Sequence, residues 1–259
     1  MIQQFQYTVA ELISYIDWAY FYHAWQVKGN TEQGEELKTD AIRMLMSMSD
    51  KIGAEALFRR VDAHSEEDNI IIEISRSENQ TKTIPLLRQQ RLGADGFALC
   101  LADFIRPDGD TLGLFSTTCA LKAEANADPY ESLMMQTLAT RLAEAAAEKL
   151  DEDTRNEKMQ DDDSAIPQGI RPAIGYPCLP DLSINFLLDE LLDMGSIGIS
   201  LTENGAMDPP SSVSGLLIRH PHARYFGVGT ISDEQFEDYT RRRGLPKQRM
   251  RQFLRAVLD

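Results

Sequence analysis

The sequence is poor in the features that mark several large classes of protein. Its only cysteines are Cys100, Cys119 and Cys178. Odd in number and widely spaced, they supply neither a disulfide framework nor a metal-ligand motif, as expected of a chain kept in a reducing cytoplasm. No run of about 18 apolar residues occurs, so no membrane span is expected. The start, MIQQFQYTVAEL, lacks a basic segment followed by an apolar one, so no secretory signal is expected either. An excess of positive charge is also missing. The formal net charge is −15, which excludes a general nucleic-acid binder, because phosphate contact needs a basic face.

The signatures of self-contained catalysis are absent too. The glycines at 195–198 and 227–229 lie between or within expected strands, whereas a nucleotide-binding loop joins a strand to a helix. There is no GxSxG elbow and no kinase set. Among His23, His64, His220 and His222 only the last two are close, and no acid or cysteine stands near them to complete a metal site.

What remains is a globular composition, 42% hydrophobic and 26% charged. Its 259 residues suffice for one large domain or two small ones. Thr8 followed by Glu11 reads as a capping box opening a helix over 8–16. Trp18, Phe21, Tyr22 and Trp25 then recur at helical spacing and build an aromatic face, for which core packing is the favoured use. Asp17, set before this run, reads as a helix N-cap.

A second helix is expected over 35–52, with Leu37, Ile42, Leu45, Met46 and Met48 inward. Residues 54–61 fit either a continued helix or a strand. The β-rich runs 69–74 and 82–86, separated by SRSENQ, read as a hairpin. FALCLADFI fits helix and strand equally, and 112–120 reads as a buried strand. The longest helix is expected from 128 or 129 to about 150. Its apolar face is Leu133, Met134, Leu138, Leu142, Ala146 and Leu150, with Glu144 and Glu148 elsewhere on it. The acidic stretch KLDEDTRNEKMQDDDS reads as an exposed helix end and loop within one domain. Later come a helix over 184–194 stopped by Gly195, strands over 197–201, 213–219 and 225–231, a helix capped by Ser232, and a last amphipathic helix. Strands and helices mix without a βαβ rhythm, so the expected class is α+β with an antiparallel-dominated sheet.

Between these halves lies RPAIGYPCLPD, residues 171–181. Pro172, Pro177 and Pro180 each fix φ and remove an amide donor, so the run can be neither a helix nor a central strand. Gly175 permits a close approach of backbone or ligand. The expected product is a stiff ledge with Arg171 at one end and Tyr176 on top. From composition alone, a Pro-rich connection is the simpler account.

Arg171, Gly175, Tyr176, Pro177, Pro180 and Asp181 together resemble the signature of the reactivation domain of cobalamin-dependent methionine synthase. Further blocks resemble the same family in order: YIDW at 15–18, LRQQ at 87–90, CLADF at 100–104, RLAEA at 141–145, LTE…AM…SVSG over 201–215 and HPHARYFGV at 220–228. The resemblance implies a single activation-domain-like unit over residues 1–259, a mixed antiparallel-dominated sheet flanked by helices. It implies that the homocysteine, folate and cobalamin domains are supplied elsewhere, so the chain is a component of a methyltransferase system and not a complete synthase.

The family binds S-adenosylmethionine, and the resemblance distributes the roles. Arg171 would take the ligand carboxylate, Asp17 its ammonium, and Glu144 would favour its positive charge. The backbone at Ala173 and Gly175 would contact adenine, with Tyr225 and Phe226 beside the ligand and Tyr176 facing the corrin. The implied task is reactivation of cob(II)alamin by reductive methylation, with cobalamin carried by a separate methionine synthase chain and electrons from a flavodoxin-like donor. Neither nucleic acid nor membrane is an implied partner. The alternative is a reactivator, or an S-adenosylmethionine-sensing module, for another corrinoid methyltransferase. Three positions depart from the family pattern: Leu182 replaces a histidine, Asp208 an aromatic and Phe226 a second tyrosine. These departures bear on the corrin-facing surface more than on the ligand contacts.

Overall fold

A computed structural model describes residues 1–75, 80–93, 96–121, 128–156 and 169–258. The frame is an antiparallel sheet built around one long strand. Strand β2 (Ile52–Glu66) is long enough to serve two neighbours on one side. Its first half pairs with β1 (Gln3–Thr8), and its second half with β3 (Asn69–Ser75). Along its other side runs β5 (Asp110–Thr118), followed by β8 (Ser212–Leu217). Strand β4 (Gln80–Pro85) closes the expected hairpin with β3. The tip of that hairpin, residues 76–79, lies outside the described residues, as do 157–164 of the acidic stretch.

Both faces of the sheet are covered, and side-chain alternation decides which residues go where. Ala54, Ala56, Phe58, Phe115, Val213 and Leu217 face α4 (Pro129–Asn156) together with α1 (Val9–Leu12), α2 (Trp18–Ala24) and α3 (Glu32–Met46). Leu57, Ala63, Leu112, Leu114 and Leu216 point the other way, into a core shared with α5 (Ile184–Leu192). Residues Ala143 and Ala145 to Ala147 of α4 are buried small side chains, which lets that helix lie close on the sheet. Thr117 on β5 donates its hydroxyl to the Ala143 carbonyl at 2.8 Å and ties the two layers. A third cluster joins α6 (Asp233–Arg243) and α7 (Lys247–Phe253) to Leu87, Val228 and Ile231. No helix among the described residues is long and apolar enough to cross a membrane.

Several expectations change. The helix expected over 35–52 spans Glu32–Met46, because Ile52 is drawn into β2 opposite Thr8. Met46 and Leu133 are 58% and 50% exposed, since each lies beyond the arc that its helix buries. Residues 54–61 are strand, and Leu101–Phe104 within FALCLADFI is a short 3-10 turn. Helix α5 stops at Asp193, in the left-handed conformation at φ +54°, two residues before Gly195. Of the strand expected over 197–201 only β6 (Ser200–Leu201) forms, paired with β7 (Met207–Asp208). Residues 225–231 are not a strand. Their amides go elsewhere: Val228 N–H donates to the Pro177 carbonyl at 2.9 Å and Ile231 N–H to that of Val257 at 2.9 Å.

Candidate functional site

The ledge is an interrupted strand laid along the outer edge of β8. Bridges pair Ile170 with Ile218 and Ala173 with Gly215. Ile174 N–H donates to Ser214 O at 2.9 Å, and Leu216 N–H to Pro172 O at 3.0 Å. An edge is where prolines are tolerated, because the missing amide faces away from the ladder. Gly215 makes the approach possible: a Cβ there would lie 2.3 Å from the Pro172 carbonyl oxygen and 2.9 Å from the Phe115 ring. Gly175, at φ +94°, turns the chain back so that its N–H reaches the Leu179 carbonyl at 2.8 Å.

The far end of the ledge is held by a buried polar cluster. Asp181 accepts from Ser183 N–H, Ser183 Oγ and Tyr239 Oη, each at 2.8 Å, and from Arg243 Nε at 3.2 Å. Asp181 and Arg243 side chains are 1% and 6% exposed. The ledge is therefore clamped between β8 and α6.

Its near end faces a cavity of about 530 Å³, lined among others by Asp17, Tyr20, Arg141, Glu144, Glu148, Arg171 and Tyr176. That volume falls in the range of small-molecule sites, roughly 300–1,000 Å³. Three elements supply the wall. Asp17 caps α2, accepting from Ala19 N–H at 2.8 Å. Arg141, Glu144 and Glu148 form one stripe of α4, three and four residues apart. Arg171 and Tyr176 come from the ledge.

The charges are arranged around Arg171. Its guanidinium lies 5.7 Å over the Phe115 ring, donates from Nη2 to Glu148 at 3.1 Å, and has Glu144 at 3.8 Å from Nη1. Burial pulls its pKa down, but the charges of Glu144 and Glu148 outweigh that and hold it above its ordinary value. Nε and Nη1 are buried without a hydrogen-bond acceptor. Nη2 shares one edge of the guanidinium with Nε and another with Nη1, so a carboxylate that takes Nη2 can also take one of the two unmet donors. Tyr176 donates its hydroxyl to Glu144 at 3.2 Å, and burial first, then the Glu144 charge, pushes its phenol up.

The structure thus brings Asp17, Glu144, Arg171 and Tyr176 to one cavity. The other expected residues, Ala173, Gly175, Tyr225 and Phe226, do not line it. Tyr225, 54% exposed, accepts the Arg171 N–H on its hydroxyl at 3.0 Å. Ala173 is buried under the ledge, where its carbonyl accepts from Tyr176 N–H at 3.1 Å. Phe226 packs between the α5 core and the C-terminal cluster. Arg141, Glu148 and Tyr20 line the cavity although no role was expected of them. Arg141 lies 5.5 Å from the centre of the Tyr20 ring. The spacing of the α4 pair from Glu144 could have signalled them, but Tyr20 carried no signal beyond the aromatic run.

An α+β domain with a charged concave cleft between a helix and an edge-bound ledge is the class that these features define. The family model for the activation domain of vitamin B12 dependent methionine synthase matches residues 8–244, and the chain belongs to that family. Among solved structures it is similar to a crystal structure of the MetH reactivation domain bound to AdoHcy. The two are 30% identical with a TM-score of 0.88, over 100% of this chain and 90% of that one.

Proposed function

We propose that this chain is an S-adenosylmethionine-binding reactivation module. It supports reductive methylation of cob(II)alamin in a cobalamin-dependent methionine synthase, working in trans on the cobalamin domain of a separate chain. The observation that carries the reading is the shared cavity of Asp17, Glu144 and Arg171, with two buried Arg171 donors lacking acceptors. Support also comes from the similar MetH reactivation domain, whose structure holds AdoHcy.

When bound, S-adenosylmethionine supplies the methyl group, and the partner's cobalamin, reduced by a flavodoxin-like donor, supplies the nucleophile. The chain itself binds and orients. Arg171 takes the carboxylate of the ligand, and Asp17 takes its ammonium. Glu144, fixed by the Tyr176 hydroxyl, favours the sulfonium charge. Backbone atoms at Ala173 and Gly175 serve adenine, Tyr225 and Phe226 stand at its side, and Tyr176 faces the corrin. No proton transfer is asked of any side chain.

Calorimetric titration with S-adenosylmethionine tests the site. A charge-assisted hydrogen bond contributes about 1.5–3 kcal/mol, so Arg171→Ala is expected to weaken binding about 10- to 100-fold. Unchanged affinity overturns the assignment. For the action in trans, the chain is mixed with a synthase lacking its own activation domain, S-adenosylmethionine and reduced flavodoxin. A methylcobalamin spectrum that appears only with the chain present is expected, and its absence overturns that part.

A further inference from the structure

We infer that Glu148 is a built-in competitor for Arg171, a carboxylate of the protein that holds the guanidinium until a ligand carboxylate replaces it. The inference rests on the site reading above and adds a regulatory residue to it. Arg171 is 13% exposed, and among the described residues its side chain makes one hydrogen bond, from Nη2 to Glu148. The three cavity carboxylates differ in what fixes them. Asp17 is held by Ala19 N–H, and Glu144 by the Tyr176 hydroxyl. Glu148 has Arg171 as its only fixed partner among the described residues.

Glu148 is also placed to leave. Its side chain is 55% exposed, one helical turn beyond the half-buried Glu144, so its carboxylate meets the guanidinium from the solvent side. An ion pair this exposed is screened and worth at most about 1 kcal/mol, or roughly a factor of five. A ligand carboxylate on the Arg171 fork can form two parallel bonds where Glu148 forms a single one. In the free protein Glu148 therefore balances a cation that would otherwise stand against Phe115 with no hydrogen-bonded anion. In the bound protein it swings to water. A ligand that carries a carboxylate must break the internal pair, whereas the bare nucleoside leaves it in place.

The test is calorimetry with two probes, S-adenosylhomocysteine and 5′-methylthioadenosine. The first has the carboxylate but no sulfonium charge, which keeps direct attraction between Glu148 and a sulfonium out of the readout. The second lacks the amino-acid portion. Glu148→Gln is expected to tighten S-adenosylhomocysteine about two- to fivefold and to leave methylthioadenosine unchanged. Glu148→Ala, without an amide to bond Arg171, is expected to give a gain of the same sign. Equal or weaker S-adenosylhomocysteine binding in both variants overturns the competitor role while leaving the site reading intact. So does an equal gain for both probes. A wild-type chain that takes neither probe overturns the site reading itself, and this inference with it.

Discussion

Tyr176 and Glu144, 32 positions apart in the chain, meet through a hydrogen bond of 3.2 Å from the tyrosine hydroxyl to the carboxylate. The contact joins the ledge to α4 at the cavity, where Glu144 also lies 3.8 Å from Arg171. Binding geometry and fold stability share this bond.

Tyr176→Phe removes the donor and keeps the ring. The expected cost is about 1 kcal/mol of stability, the usual net value for one such hydrogen bond. Urea unfolding should show a lower midpoint with an unchanged slope. An unmoved midpoint would mean that the bond contributes nothing to the ledge.

The clamp at the other end is the more sensitive point. Asp181→Ala leaves Arg243, 6% exposed, as a buried cation without its carboxylate. Breaking a buried pair by removing one partner costs about 3–5 kcal/mol. Combining it with Arg243→Met should cost less than the sum of the two single changes, because the stranded charge is gone. A single-mutant loss below about 1 kcal/mol contradicts the clamp.

Alkaline pH should weaken the fold through its thiols. Burial pushes Cys119 and Cys178 up to about 11, and Cys100 to about 12. A group whose folded pKa is raised contributes stability that is complete below the unfolded value, near 8.5–9, and lost as pH rises through the folded one. Stability should therefore fall between about pH 9 and pH 12. A thiol-specific colour reagent at pH 8 should react with the native chain only as fast as it unfolds. Rapid labelling of any of the three places a cysteine at the surface.

Much of the site could be read along the chain. The ledge followed from residues whose backbone freedom is fixed by covalent structure: three prolines and a glycine at φ +94°. The capping box at Thr8 and Glu11 is local, and both of its bonds form, Thr8 N–H to Glu11 at 2.7 Å and Glu11 N–H to Thr8 Oγ1 at 3.3 Å. The spacing that placed Glu144 and Glu148 outside the buried face of α4 held, and Arg141 lies on the same stripe. Their membership of the site was not legible, because it depends on where a ledge 23 or more residues further on comes to rest. Strand 225–231 failed for a related reason. Alternation in YFGVGTI suits an extended chain, but whether its amides meet a sheet or the ledge is a tertiary matter. Tyr225 receives the Arg171 N–H from 54 positions away, a contact that no local pattern encodes.

Gly215 lets the Arg171 segment lie against the last strand of the sheet, and this has a bearing on behaviour at high concentration. An uncovered outer strand invites the same strand of another molecule to add on, and prolines stop such growth. The segment that would hold S-adenosylmethionine is thus also the stopper of the sheet. A variant with bulk at position 215 should lose its ligand and begin to self-associate together.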